Sequence, residues 1–146
     1  MKIIPLVLAA VLLNFAPHAT AAEPKQPAGA NAPAMKDVTP DEAARLMKVN
    51  PGAPLVLDVR TPDEFAEGHI PGAVNADFLG DDFEKQIAAL PADRPLIVHC
   101  AAGNRSSQAV VKISALRKSA QIFLLKSGFN GWKAAGKPVE TKRAAK

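Results

Sequence analysis

The chain has 146 residues, of which 48% are hydrophobic, 22% are charged and one is cysteine. This fits one domain of ordinary globular composition and excludes disordered, collagen-like and coiled-coil classes; a single cysteine also excludes an internal disulfide and a Cys-rich zinc site. The net charge of +4 comes from the ends, because residues 36–140 hold 13 Lys and Arg against 13 Asp and Glu, so no nucleic-acid-binding face is expected.

Met1-Lys2 precedes an apolar run from Ile3 to Phe15, interrupted only by Pro5 and Asn14. These 13 residues are too few for a bilayer span, which takes about 20. Ala19-Thr20-Ala21 follows and fits a small-residue cleavage site. Residues 1–21 therefore read as a signal peptide rather than a core helix or an anchor. The expectation is an exported protein, periplasmic if its source has two membranes, with no stable membrane anchor after cleavage. Residues 22–36 are rich in Ala, Pro, Gly and Asn and read as a flexible tether. Residues 37–140 form the expected folded domain, and 141–146 a solvated basic tail.

Thr39-Pro40-Asp41-Glu42 is a helix start, with Thr as N-cap, Pro in the first turn and Glu three residues on. Thr61-Pro62-Asp63-Glu64 repeats it and starts a short helix ending at Gly68. Between them, Leu55–Val59 is a near-continuous apolar run, as expected of a strand buried on both faces. Ile70-Pro71-Gly72 is turn chemistry, and Ala73-Val74-Asn75 a brief strand. Leu79, Phe83, Ile87 and Leu90 share one helical face, stopped by Pro91. Leu96–His99 is a second buried strand that runs straight into Cys100. Ala109, Val110, Ile113 and Leu116 mark an amphipathic helix, Ile122–Leu125 a third apolar strand, and Phe129–Ala135 a last helix stopped by Gly136. Strands alternating with helices predict an α/β fold, a parallel sheet with helices on both faces. Ligands in such sheets sit at the carboxyl ends of the strands.

Cys100-Ala101-Ala102-Gly103-Asn104-Arg105-Ser106 stands at such an end. Small residues with a glycine let the backbone curl so that several N–H groups converge. The following helix N-terminus adds about half a positive charge, and Arg105 can add a full one. This is an anion pocket whose first atom is Cys100 Sγ, and it should favour the thiolate. Cys100 thus reads as a nucleophile, with Ala101, Ala102, Gly103, Asn104, Arg105 and Ser106 as the binding loop. His99 is not expected to be its base, because successive strand residues point to opposite faces. His69, in a turn, reads as structural. His18 leaves with the signal peptide, so no His-based metal site is expected.

Three segments in this order resemble rhodanese domains. They are Asp58–Phe65 with Gly68–Asn75, the loop Cys100–Ser106, and Gly128-Phe129-Asn130-Gly131-Trp132 with Pro138-Val139. Position 127 departs from the pattern, being Ser where many members have a second glycine. The resemblance implies a rhodanese-like sheet of about five strands and a single-domain thiosulfate sulfurtransferase. Cys100 would become a persulfide, discharged to cyanide, a thiol or a protein acceptor, with no metal or organic cofactor. It also implies that Asp58, Arg60 and Glu64 are an ion-pair scaffold; Glu64 is already accounted for as a capping residue, so structural support is expected of all three.

Two rival functions share the loop. A cysteine-dependent phosphatase needs its arginine six positions after the cysteine; Arg105 is five after Cys100 and residue 106 is Ser. A persulfide carrier for a partner protein, with little turnover of its own, would use the same loop. Gly131–Lys137 has phosphate-loop spacing, but Pro138 follows where Ser or Thr is required. Trp132 reads as core.

Overall fold

Residues 34–118 and 120–141 are described by the computed structural model. The expected signal peptide, tether residues 22–33 and tail residues 142–146 lie outside them. The chain order is β1 (Met35–Val38), α1 (Pro40–Leu46), β2 (Leu55–Asp58), α2 (Pro62–Glu67), β3 (Val74–Asn75), α3 (Phe83–Ala88), β4 (Leu96–His99), α4 (Asn104–Leu116), β5 (Ile122–Leu125) and α5 (Gly128–Ala134). The five strands form one sheet in the order β1-β5-β4-β2-β3, every pair parallel.

Two-residue periodicity sorts the strand side chains into two layers. Leu96 and Val98 of β4, Leu57 of β2 and Leu124 of β5 pack with Phe83 and Ile87 of α3 and with Ala109, Val110 and Ile113 of α4. Val56, Ile97, Phe123 and Leu125 face the other way, against Ala43 of α1 and Phe129 and Trp132 of α5. The sheet is therefore covered on both faces, as its apolar strands predict. Trp132 is buried and its indole N–H donates to the Pro138 carbonyl at 2.7 Å. Gly131–Ala134 lies inside α5, which is no phosphate loop.

Both TPDE segments form the expected caps. The Thr39 and Thr61 hydroxyls accept from the Glu42 and Glu64 N–H groups, and each Glu reaches back to its Thr. α2 buries no residue, so its role lies outside the core.

Two boundaries differ from the sequence reading. Met35 and Lys36, counted with the tether, pair with Ile122 and Phe123 in β1. Met35–Asp37 are exposed and only Val38 is buried, so this edge strand carries no apolar run to announce it. The helix expected from Leu79 starts at Phe83. Leu79 sits in a turn where its N–H donates to Asp77 Oδ1 at 3.0 Å and the Gly80 N–H to the Asp77 carbonyl at 3.0 Å. Asp and Gly stabilise that turn against helix, and Leu79 is left 68% exposed.

This difference is measurable. Ile87→Ala should cost about 2–5 kcal/mol in chemical denaturation, because it opens a core cavity. Leu79→Ala should stay within about 0.5 kcal/mol, although both leucine-like positions share one helical stripe in the sequence.

Candidate active site

β4 is the central strand, and Cys100 follows it directly at its carboxyl end. Its side chain continues the Leu96–Val98 face, while His99 lies on the other side near Phe129. The expected division between the two neighbours is thus present. His99 is fully buried, and burial pushes its imidazole below the ordinary histidine value.

The loop is shaped by two glycines. Gly103 has φ +96°, and a Cβ there would lie 2.2 Å from the Lys126 carbonyl oxygen. Gly128 has φ +62°, and a Cβ there would lie 2.5 Å from the carbonyl oxygens of both Cys100 and Ala101. Neither position tolerates a side chain. With Gly128 in place, the first turn of α5 comes down on the loop. Phe129 N–H donates to the Cys100 carbonyl at 2.7 Å, and Asn130 N–H to the Ala101 carbonyl at 3.0 Å. Ser127 is ordinary right-handed backbone, φ −71° and ψ −11°, so the departure from a glycine pair costs the turn nothing. Instead it constrains residue 131, where a Cβ would meet the Ser127 Cβ at 2.3 Å.

Cys100 Sγ sits at the centre of this loop. Gly103 N–H donates to it at 3.1 Å and Ser106 Oγ stands 3.5 Å away. Burial opposes the thiolate, but hydrogen bonds from the Ser106 hydroxyl and from the Ser106, Ala102 and Gly103 N–H groups outweigh it and hold the thiol below its ordinary value. Ser106 N–H belongs to the first turn of α4, whose donors have no partner within the helix. The helix dipole adds to them.

Around the loop the charges are paired. Asp58, at the end of β2, is fully buried. Arg60 Nε donates to both its carboxylate oxygens at 3.0 Å, and an Arg60 terminal nitrogen donates to Oδ2 at 2.6 Å. The same nitrogen reaches the Gly68 carbonyl at 2.7 Å, and the guanidinium lies 4.2 Å from the Phe129 ring centroid. Asp58 and Arg60 thus form a buried ion pair. Arg105 is different. Its guanidinium donates to both Glu64 oxygens, at 2.6 and 2.8 Å. The sequence reading gave its whole charge to the anion pocket; the structure shares that charge with Glu64. Glu64 in turn does more than cap α2: Arg105 above all holds its carboxyl down at about 2. Asn104 is exposed at the start of α4, and Ala101 borders a cleft of about 310 Å³ shared with Arg60, Glu64, Glu67, Phe129 and Lys133. The loop reading missed Phe129, Glu67 and Lys133. Their signal was topological, since both α2 and α5 follow strands whose carboxyl ends flank β4.

A family model described as the rhodanese-like domain matches residues 39–135. The chain belongs to the rhodanese-like family. This rhodanese-like chain is 34% identical over 106 residues to the thiosulfate sulfurtransferase GlpE of Ectopseudomonas mendocina, covering 73% of this chain and 91% of that protein. It is 33% identical over 114 residues to the uncharacterized protein YibN of Escherichia coli, covering 72% of each. Among solved structures it resembles a rhodanese-related protein from Thermoplasma volcanium, with TM-score 0.63 and 30% identity over 72% of this chain and 97% of that one. Family and relatives together support a sulfurtransferase.

The Glu64–Arg105 pair should be visible in stability against pH. Glu64 is depressed from 4.5 to about 2 in the fold. Its contribution is therefore complete above pH 4.5 and is lost as pH falls toward 2. The side chains are 34% and 25% exposed, so solvent screening limits the contribution to about 1 kcal/mol. Glu64→Gln should be less stable than the parent at neutral pH, with the gap closing through that acid window.

Proposed function

We propose that this rhodanese-like protein moves sulfane sulfur from a small anionic donor such as thiosulfate to a thiophilic acceptor, through a persulfide on Cys100. The single observation behind this reading is the hydrogen bonding at Cys100 Sγ: the Gly103 N–H donates to it at 3.1 Å, and the Ser106 hydroxyl, which also faces the Gly103 carbonyl at 3.1 Å, stands 3.5 Å from it. These contacts favour the thiolate, which is the attacking form. In the first step the Cys100 thiolate attacks the outer sulfur of thiosulfate. A Cys–S–S bond forms, the sulfur–sulfur bond of thiosulfate breaks, and sulfite leaves with the electron pair. The terminal sulfur of the persulfide carries one negative charge, as the thiolate did, so the same N–H groups serve the intermediate. In the second step cyanide or a thiolate attacks that terminal sulfur and the Cys100 thiolate departs. No proton transfer is needed in the loading step. A buried His99 held neutral and turned to the other face agrees with that. Asp58 and Arg60 fix the end of β2 beside the loop, and Glu64 ties α2 to α4.

The proposal extends to location: residues 1–21 direct export and are removed, so the working protein begins at about Ala22. Its acceptor is then a thiol or protein outside the cytoplasm.

Intact mass tests both parts. Reduced protein treated with thiosulfate should gain about 32 Da, and cyanide should remove the gain, which separates persulfide from sulfinic acid of the same mass. Cys100→Ser should gain nothing. The mass of protein recovered from an expressing cell should correspond to a start near Ala22. A folded, reduced protein that takes up no sulfur would eliminate thiosulfate as donor, and turnover of an aryl phosphate would favour the phosphatase chemistry instead.

A further inference from the structure

Formal charges around the cleft beside Cys100 do not contribute equally to an incoming anion. Arg60 is consumed by Asp58, with three contacts of 3.0 Å or less. Arg105 is consumed by Glu64, again through both carboxylate oxygens. Each pair is close to neutral at a distance, so two of the three cations in and around the cleft attract a dianion weakly. The third is Lys133, on α5. Its ammonium lies 4.9 Å from the Phe129 ring centroid, on a ring that also contacts Arg60, and it lines the cleft with Ala101, the residue after Cys100. Lys133 is exposed, and among the described residues it takes part in no ion pair. Across the same cleft Glu67 is the carboxylate that, among the described residues, is likewise in no ion pair.

We propose that Lys133 is a specificity-determining residue for the sulfur donor, selecting dianions over donors of lower charge, and that Glu67 opposes it. The role rests on the sulfurtransferase reading above and deepens it. The loop N–H groups meet the reacting sulfur, whereas Lys133 meets the charge of the oxyanion end as the donor enters. Electrostatic attraction scales with donor charge, so the effect on a dianion, as a logarithm, is about twice that on a monoanion.

The test compares steady-state kinetics with thiosulfate, a dianion, and methanethiosulfonate, a monoanion, with cyanide as acceptor. Lys133→Gln should raise the KM for thiosulfate about fivefold and that for methanethiosulfonate about twofold, with kcat within about twofold. Lys133→Arg should restore both. Glu67→Gln should lower the KM for thiosulfate. Added salt should raise the parent KM for thiosulfate and raise that of Lys133→Gln less. Equal shifts for the two donors, or no shift while the parent turns both over, would overturn the role of Lys133 alone. A parent protein that takes sulfur from neither donor would overturn the sulfurtransferase reading, and this role with it.

Discussion

The structure depends on how the Cys100 loop is pinned by α5. A peptide unit is planar, so its carbonyl and the N–H of the next residue point in opposite directions. When Asn130 N–H takes the Ala101 carbonyl, the Ala102 N–H is turned the other way, and it is one of the groups that stabilise the Cys100 thiolate. Two backbone hydrogen bonds at the start of one helix thus aim the backbone of another element. They require the approach that only Gly128 permits. Gly103 makes the complementary concession on the loop itself, and its N–H reaches Sγ at 3.1 Å.

Electrostatics follows from that arrangement. The thiolate is held by dipoles and a hydroxyl rather than by a dedicated counter-ion. Arg105 feels the Cys100 charge, but Glu64 dominates it. A full ion pair on Sγ would compete with an anionic donor and with the anionic persulfide; dipoles fixed by the backbone serve every anionic state alike. The buried Asp58–Arg60 pair adds rigidity at the end of β2. Breaking it would leave an unpaired charge in the interior, and its contacts to Gly68 and Phe129 join α2 and α5 to the same support.

Much of this was legible in the residues. Apolar β2, β4 and β5 announced a parallel sheet covered on both faces, and strand–cysteine–small loop–helix placed Cys100. Two features were hidden for definite reasons. β1 is an edge strand with one buried residue, so its pairing, not its composition, defines it. The Glu64–Arg105 pair spans 41 positions. Each partner had a sufficient local explanation, one as cap and one as anion ligand, so nothing local demanded the other. Leu79 shows the converse error, a helical period continued across a turn that Asp77 and Gly80 enforce. Phe129, Glu67 and Lys133 entered the site because the sheet order sets α2 and α5 beside β4.

Sulfur transfer at Cys100 requires a thiolate held by the loop. Its most direct measurement is the ultraviolet absorbance of the thiolate against pH, with Cys100→Ser subtracted, in the parent and in Ser106→Ala. Cys100 should titrate below an unperturbed thiol, and loss of the Ser106 hydroxyl should move the titration upward. A parent thiol that ionises at or above the unperturbed value, unmoved by Ser106→Ala, would contradict a thiolate held by the loop.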